Sequence, residues 1–524
     1  MLLRPEDLPR DVDQLIKIVL AQAVEIEKYQ VALKTVQTLV FGARSERGSA
    51  VLENQLSLGL GDGDVPPPAN DAEAGEAKAP SPAKTGAPRG NARRNRGFLP
   101  KHLERVDKTI EPETTVCPCC NGALHKIGED VSEALDVIPA ILRVLRTIRP
   151  RYGCRSCETA VIQAPAEGRV MDGGMATTAM IVSIAVWKFA WHMPLNRQVK
   201  MLAGQGVALD RATLSKWMKR LAWWLEPLYR RQMAVMHTFP RLFCDETRMP
   251  VRREDKKTCH IGQFWTHATD DRPWCGPAPA AVAYVYAEGR GHKEIKAQLA
   301  DFTGLLQVDA YAGYNGLTVE ERRAGPIQLA FCLAHARRKF VDLYKVTQSA
   351  FAAEVIRKLA EVYAIEDQIR GKSAAHRRQV RQSDTAPLMA SLKLRLEEGL
   401  ATVSKTSATA KAIRYSLGHW KGLTLFLEDG RLEVDSNTVE RTIRPIALGR
   451  RNQLFAGDDG GAETWAILAS LLQTARLNDL DPSLYLLDVV EKIVSGKVKA
   501  TELDRLLAWN WKAERAAQEK AVAA

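Results

Sequence analysis

The sequence predicts a multidomain α+β protein, and three observations predict it. Apolar residues recur with a helical heptad period near the start, two Cys-x-x-Cys pairs flank a β-branched stretch, and three strand-like runs then give way to alternating strands and helices. A length of 524 residues suggests roughly three domains. The 74 Lys and Arg against 62 Asp and Glu leave a formal net charge of +12, which favours an anionic partner, nucleic acid being the commonest. The opening MLLRPEDLPRDVDQL carries acids where a signal peptide needs a basic start and an apolar core. The longest apolar run, Ala179 to Trp187, is interrupted by Ser183 and stops at Lys188, far short of a membrane span. A soluble, cytoplasmic protein is expected, with no membrane partner. In such a compartment nine cysteines point to metal rather than to disulfides.

Val12, Leu15, Val19, Ile26, Tyr29, Leu33, Val36 and Val40 keep the heptad register, with Gln22 as its polar interruption, so residues 10–44 read as a coiled-coil helix. Self-association into a homodimer or higher oligomer is the first expectation, a single amphipathic helix packed on its own protein the alternative. Residues 45–105 read as a disordered basic linker. Gly, Pro, Ala and Asp dominate its middle, and RGNARRNRGFLPKHLER at its end carries six Lys or Arg against one Glu.

Residues 106–168 read as a zinc-ribbon-like domain. Cys117 with Cys120 and Cys154 with Cys157 form two knuckles able to offer four thiolates to a tetrahedral structural Zn2+, the alternative being reduced, unliganded thiols. Between them LDVIPAILRVLRTIRPRY has the alternation of ribbon strands. Residues 169–237 are helical: a helix from Leu195, a turn at Gly204 to Leu209 and a second helix capped by Asp210 suit a helix-turn-helix with Arg211, Ser215, Lys216 and Lys219 outward. Ordinary helix packing explains the same pattern.

From Arg241 the runs RLFCDETRMPV, QFWTHATD and AAVAYVYAEG read as strands, followed by the helix HKEIKAQLADF, the strand GLLQVDAYAGY and the strand-to-helix passage PIQLAFCLAHARRKF. That order implies a mixed sheet covered by helices over 238–347. A helical insertion over 348–431 precedes residues 432–478, which complete the sheet domain, and 479–524 form a C-terminal helical segment.

VDSNTVERTIRPIALGRRNQLFAG places Glu440 among Arg441, Arg444, Arg450 and Arg451. A helix opening at Asn437 puts Glu440 and Arg444 one turn apart on one face, so a carboxylate can hold a cation while a guanidinium holds a phosphate. Asn437 and Glu440 equally fit a capping box. Asp245 and Asp309 end the first and fourth strands, where acids are often solvated turn residues. Taken together, two strand aspartates and a helix glutamate offer the hard oxygen ligands of a two-ion phosphodiester site.

The pieces LVFGARSER, CPCC, CRSC, MPLNRQ, CDET, VDAYAGY, CLAHARRKF, NTVERTIRP, GRRNQLFAG and LLAWNW resemble transposases of the insertion sequence 66 family over nearly the whole chain. The resemblance implies a ribonuclease H-like catalytic core with an all-helical insertion, and a DDE triad on Asp245, Asp309 and Glu440 that binds two Mg2+ or Mn2+ ions. It implies a DNA transposase of a bacterial insertion sequence, which binds terminal inverted repeats and target DNA, cleaves the DNA ends and joins the freed strand, with companion proteins of the same element as further partners. Asp435, Ser436, Asn437 stands where the family pattern has Asp-Asn-Asn, and CPCCNG where it has Cys-Pro-x-Cys-Gly. Cys332 and His335 match a Cys-x-x-His feature, and two ligands alone make no zinc site. DNA contacts are expected from Arg211 and Lys216, from His335, Arg337, Arg338 and Lys339, and from Arg441, Arg444, Arg450 and Arg451 as phosphate clamps. The alternatives are a non-enzymatic DNA-binding relic and a nuclease of the same fold without strand transfer.

Overall fold

The computed structural model describes residues 142–153, 161–253, 258–319 and 322–523, with Asp11, Asp13, Gln14, Val19 and Gln22. The expected linker and the cysteines Cys117, Cys120, Cys154 and Cys157 lie outside the described residues, as does the coiled coil apart from those isolated positions. The chain divides into two compact units, Asp62–Thr147 and the remainder. In the first, residues 142–147 carry neither helix nor strand.

In the second unit, β1 (Arg151–Gly153) and β2 (Val161–Gln163) pair antiparallel, on either side of the sequence that holds Cys154 and Cys157. Arg149 Nη1 donates to the Ala164 carbonyl at 3.0 Å and Gln163 Nε2 to the Arg149 carbonyl at 2.9 Å, which closes the base of the hairpin. Of the stretch expected to alternate as a ribbon up to Tyr152, the described residues 142–150 carry no strand and Arg151 onwards does, because extended backbone becomes a strand only where a neighbour supplies ladder bonds.

The sheet is mixed, as the order of elements implied. β3 (Arg241–Arg252), β4 (Cys259–Thr269) and β5 (Ala281–Ala287) form an antiparallel meander. β6 (Gly304–Val308) joins the other side of β3 in parallel and β7 (Ile327–Phe331) extends it, giving the order β5-β4-β3-β6-β7. The strands alternate between two cores, as the two-residue period of a strand requires. Leu242, Cys244, Trp265 and Ala283 face one apolar cluster with Leu306 and Val308. Phe264, Val282 and Tyr284 face another, built largely from helices.

That helical layer joins segments far apart in sequence. α1 (Thr178–Phe189), α2 (Leu195–Gly204) and α3 (Arg211–Met236) share one core with segments near the C-terminus: Leu214, Trp217, Leu221 and Leu225 of α3 pack with Trp465, Leu468 and Leu472, and with Tyr485 and Leu486. The expected turn and the Asp210 cap are present, the cap accepting from Thr213 N–H at 2.7 Å. Arg211 and Lys216 are exposed, whereas Lys219 is ion-paired with Asp458 at 2.8 Å.

The remaining helices first complete the sheet domain and then build the insertion. After β5 comes α4 (His292–Gln298), after β7 α5 (Leu333–Thr347), then α6 (Ala350–Ile369), α7 (Ala374–Val380), α8 (Ala386–Thr402) and α9 (Ala408–Gly418), of which α6 to α9 lie within 348–431. They enclose a further core with Leu359, Met389, Leu396 and Ile413. α10 (Trp420–Leu423) leads towards α11 (Asn437–Gln453), α12 (Asp459–Leu477), α13 (Pro482–Val494) and α14 (Ala508–Ala523).

Candidate active site

The parallel pair β3–β6 runs through Arg241↔Leu305, Leu242↔Leu306 and Phe243↔Gln307. Two residues further along that register Asp245 falls level with Asp309, just where the strands part. In parallel sheets such a parting at the carboxyl ends of strands is where ligands are usually received. Asp245 is therefore not at a strand end as expected but inside β3, because β4 continues to pair with β3 as far as Arg252. By alternation Asp245 shares the face of Phe243, and Phe243 packs on Val439, the residue before Glu440. Asp309 follows the last residue of β6, its Oδ1 accepts from Tyr311 N–H at 3.0 Å, and Ala310 between them adopts a left-handed φ of 67°.

Asp245 feels the neighbouring carboxylates. Burial pushes the Asp245 carboxyl well above the ordinary range, and the charges of Glu246, Asp309 and Glu440 push it further. Glu246, which the sequence reading passed over, is raised by burial and by Asp309, and is ion-paired with Arg290. It points to the opposite face, where Tyr314 also reaches it. CDET carries two adjacent acids, and strand alternation alone would have assigned them to different faces.

Glu440 enters from the first turn of α11. The segment before that helix is held on both sides. Gln307 Nε2 donates to the Glu433 carbonyl at 2.9 Å while Glu433 N–H donates back to Gln307 Oε1 at 3.0 Å, and Leu333 N–H donates to the Val434 carbonyl at 3.0 Å. From the insertion, Arg381 grips Glu366 with two bonds of 2.7 Å and donates to the carbonyls of Phe426 and Leu432 at 2.9 Å. Arg377 pairs with Glu433 at 2.9 Å. The insertion also touches the second acid, Tyr415 Oη donating to the Asp309 carbonyl at 3.2 Å.

The capping-box alternative does not hold. Ser436 is the N-cap, and Asn437 turns back to Asp435, its N–H donating to Oδ1 at 3.0 Å and Nδ2 to Oδ2 at 2.9 Å. Glu440 Oε1 is buried without a hydrogen-bond partner and lies 3.9 Å from His335 Nδ1, which is likewise buried and unpartnered. Ser436, at the position that departs from the family pattern, is 2 % exposed and donates its N–H to Cys332 Sγ at 3.2 Å. Burial raises the Asp435 carboxyl to about 7, with Glu433 and Glu440 adding to the effect.

The basic residues divide. Arg338, Lys339, Arg441, Arg444 and Arg451 are exposed. Arg450 donates to Thr247 Oγ1 at 3.1 Å and to the Arg248 carbonyl, so it ties α11 to β3. Arg337, expected to contact DNA, is 6 % exposed. It falls on the buried stripe of α5 with Leu333, Ala336 and Phe340, and so cannot present its guanidinium to a surface partner.

A group of half-buried carboxylates, one with a buried oxygen that makes no hydrogen bond, suits a cation that supplies opposing charge. Asp245, Asp309 and Glu440 fit hard divalent ions on that ground.

The family model described as Transposase IS66 family matches residues 173–464, a stretch that contains every strand of the sheet and all three acids. The chain belongs to the IS66 transposase family. A model described as the zinc-finger binding domain of transposase IS66 matches 114–158, spanning Cys117, Cys120, Cys154 and Cys157, which supports a structural zinc. The IS66 C-terminal element matches 470–509, and a model described as Transposase C of IS166 homeodomain matches 28–107. Among curated proteins, y4jD of Sinorhizobium fredii is 51 % identical over 99 % of this chain and 100 % of its own length. From the same organism, y4qI is 37 % identical over 98 % of this chain and 99 % of its own length, and y4hP is 36 % identical over 95 % and 90 %. As an IS66 family member the chain has zinc-binding and DNA-binding domains, and among its described residues no helix is long and apolar enough to cross a membrane.

Proposed function

We propose that this IS66 family member is a DDE-type transposase that binds terminal inverted repeats, cleaves the DNA ends and joins the freed 3′-hydroxyl to target DNA. The observation that carries the reading is the convergence of Asp245, Asp309 and Glu440 from three elements far apart in sequence on the opening between β3 and β6. The sheet order, an antiparallel meander followed by two parallel strands, supports a ribonuclease H-like core.

Two bound Mg2+ or Mn2+ ions would activate the attacking oxygen and neutralise charge on the leaving oxygen. The chain's own part is to hold three carboxylates in place before DNA arrives: pairing with β4 fixes Asp245 within β3, the turn after β6 fixes Asp309, and the Gln307, Arg377 and Arg381 clamps fix the start of the Glu440 helix. Arg338, Lys339, Arg441, Arg444 and Arg451 are exposed cations on α5 and α11, the helices that carry His335 and Glu440, and are assigned to holding DNA phosphates. The zinc knuckles and the exposed Arg211 and Lys216 of α3 are assigned to inverted-repeat binding, and the heptad helix to self-association.

The test is an assay of end cleavage and joining on inverted-repeat DNA with Mg2+ or Mn2+. Cleaved ends and joined products are expected from the wild type and neither from Asp309→Asn. Equal conversion by both proteins overturns the triad, and efficient cleavage without joined products makes the chain a nuclease.

A further inference from the structure

Cys332, His335 and Glu440 form a mixed donor set beside the carboxylates. Cys332 caps α5 and His335 lies in its first turn, so the three-residue spacing puts thiol and imidazole on one face. The first turn of α11 brings Glu440 against them, and one ligand atom from each of the three lies within 4.8 Å of the others. Zinc bonds of about 2.0–2.3 Å set tetrahedral donors about 3.3–3.8 Å apart. The His335 Nδ1 to Glu440 Oε1 separation of 3.9 Å is already close to that value.

Two further features point to a ligand. His335 Nδ1 and Glu440 Oε1 are buried and make no hydrogen bond, a costly arrangement that a shared cation relieves. Cys332 Sγ instead accepts the Ser436 N–H at 3.2 Å, the kind of outer contact that orients a thiolate ligand. Magnesium avoids sulfur, whereas zinc-class ions accept thiolate, imidazole and carboxylate together.

We propose that Cys332, His335 and Glu440 form a binding site for a zinc-class divalent ion, distinct from the knuckle zinc and sharing only Glu440 with the hard-ion site. Three protein ligands leave a fourth position open. Because a carboxylate committed to this ion is withdrawn from Asp245 and Asp309, occupancy competes with the hard ions and lowers activity. That competition rests on the triad reading, whereas the site itself does not.

The test titrates Co2+ into the full chain with its knuckles preloaded with Zn2+, following the near-ultraviolet sulfur-to-cobalt band and the visible bands of tetrahedral cobalt. One extra equivalent is expected in the wild type, with the sulfur band absent from Cys332→Ser and binding at least about 10-fold weaker in His335→Gln and Glu440→Gln. Circular dichroism establishes that each variant is folded, and should Cys332→Ser fail that check, His335→Gln carries the comparison. No extra equivalent in the wild type, or wild-type spectra and affinity in every folded variant, overturns the site. A second assay adds Zn2+ to Mg2+-supported DNA cleavage. Inhibition that weakens with rising Mg2+ supports competition at Glu440. A Cys332-dependent cobalt band in a protein whose Glu440→Gln variant still cleaves DNA upholds the metal site and refutes the triad.

Discussion

Asp245 and Asp309 stand level on two neighbouring parallel strands, two residues beyond the last paired positions, Phe243 and Gln307. Nothing among the described cations pairs with Asp245, and the carboxylates of Glu246, Asp309 and Glu440 all raise its affinity for a proton. The native state stores this repulsion, so relieving it is expected to raise stability at the expense of function. Asp245→Asn should stabilise the metal-free protein by on the order of 1 kcal/mol. In the wild type Mg2+ or Mn2+ at 100 times its dissociation constant should add about 2.7 kcal/mol, an increment missing in the variant. Thermal melts with and without metal measure both effects, and an equal metal-induced shift in the two proteins would refute the assignment of Asp245 as a ligand.

The clamp that holds the segment before the Glu440 helix rests on a buried ion pair inside the insertion, and loss of that pair is expected to be severe. Arg381 is fully buried and satisfies both oxygens of Glu366, so Arg381→Leu leaves that carboxylate with only the longer Arg377 pair at 3.5 Å. A loss of about 3–5 kcal/mol is expected in denaturant unfolding, with part of it recovered by adding Glu366→Leu. A loss below about 1 kcal/mol would mean that the clamp is dispensable.

Helix α11 lies close against α12 at Gly449, where an added Cβ would meet Trp465 Cζ2 at 2.6 Å. Gly449→Ala should cost about 1–3 kcal/mol through overpacking, and should slow cleavage by shifting the helix that carries Glu440. Unchanged stability and cleavage together would show that the contact yields without effect.

The sheet core should be acid-sensitive. His237 packs at a tilt against His267 and Phe302 with ring separations of 5.4 and 6.1 Å, and burial, aided by His267, lowers its affinity for protons to a pKa of about 3. A buried histidine held neutral contributes its stability above the unfolded value near 6.5, and that contribution is lost as pH falls from there towards 3. In that window His237 alone contributes a slope of about 1.4 kcal/mol per pH unit, and His237→Phe should flatten the curve by that amount. Unfolding free energies measured between pH 7 and 5 decide it: parallel curves for wild type and variant would contradict the assignment.

Much of this was legible in the residues. Strand alternation and turn chemistry announced β3 to β7 in order, Asp210 announced its helix, and the family motifs singled out the three acids. Register was not legible. Nothing in RLFCDETRMPV says that β6 leaves β3 after Phe243 while β4 follows it to Arg252, and this difference is what turns Asp245 from a strand-end acid into an interior one. The local reading of Asn437 and Glu440 as a cap failed because Asp435, two residues earlier, competes for Asn437 more effectively. The DNA contact expected of Arg337 came from its place in the basic run after His335, whereas its place on the Leu333, Ala336, Phe340 stripe marks it as inward. Contacts across long separations, such as His335 with Glu440 or Arg381 with Leu432, carry no local signal and emerge only from packing.

The central claim is that Asp245, Asp309 and Glu440 act as one centre for DNA strand cleavage. Single-turnover cleavage of inverted-repeat DNA in Mn2+ by the wild type, Asp245→Asn, Asp309→Asn and Glu440→Gln, each shown to be folded, tests it most directly. The triad predicts a loss on the order of 10³-fold or more in every variant. A wild-type rate in any one of them would remove that residue from the centre and contradict the claim.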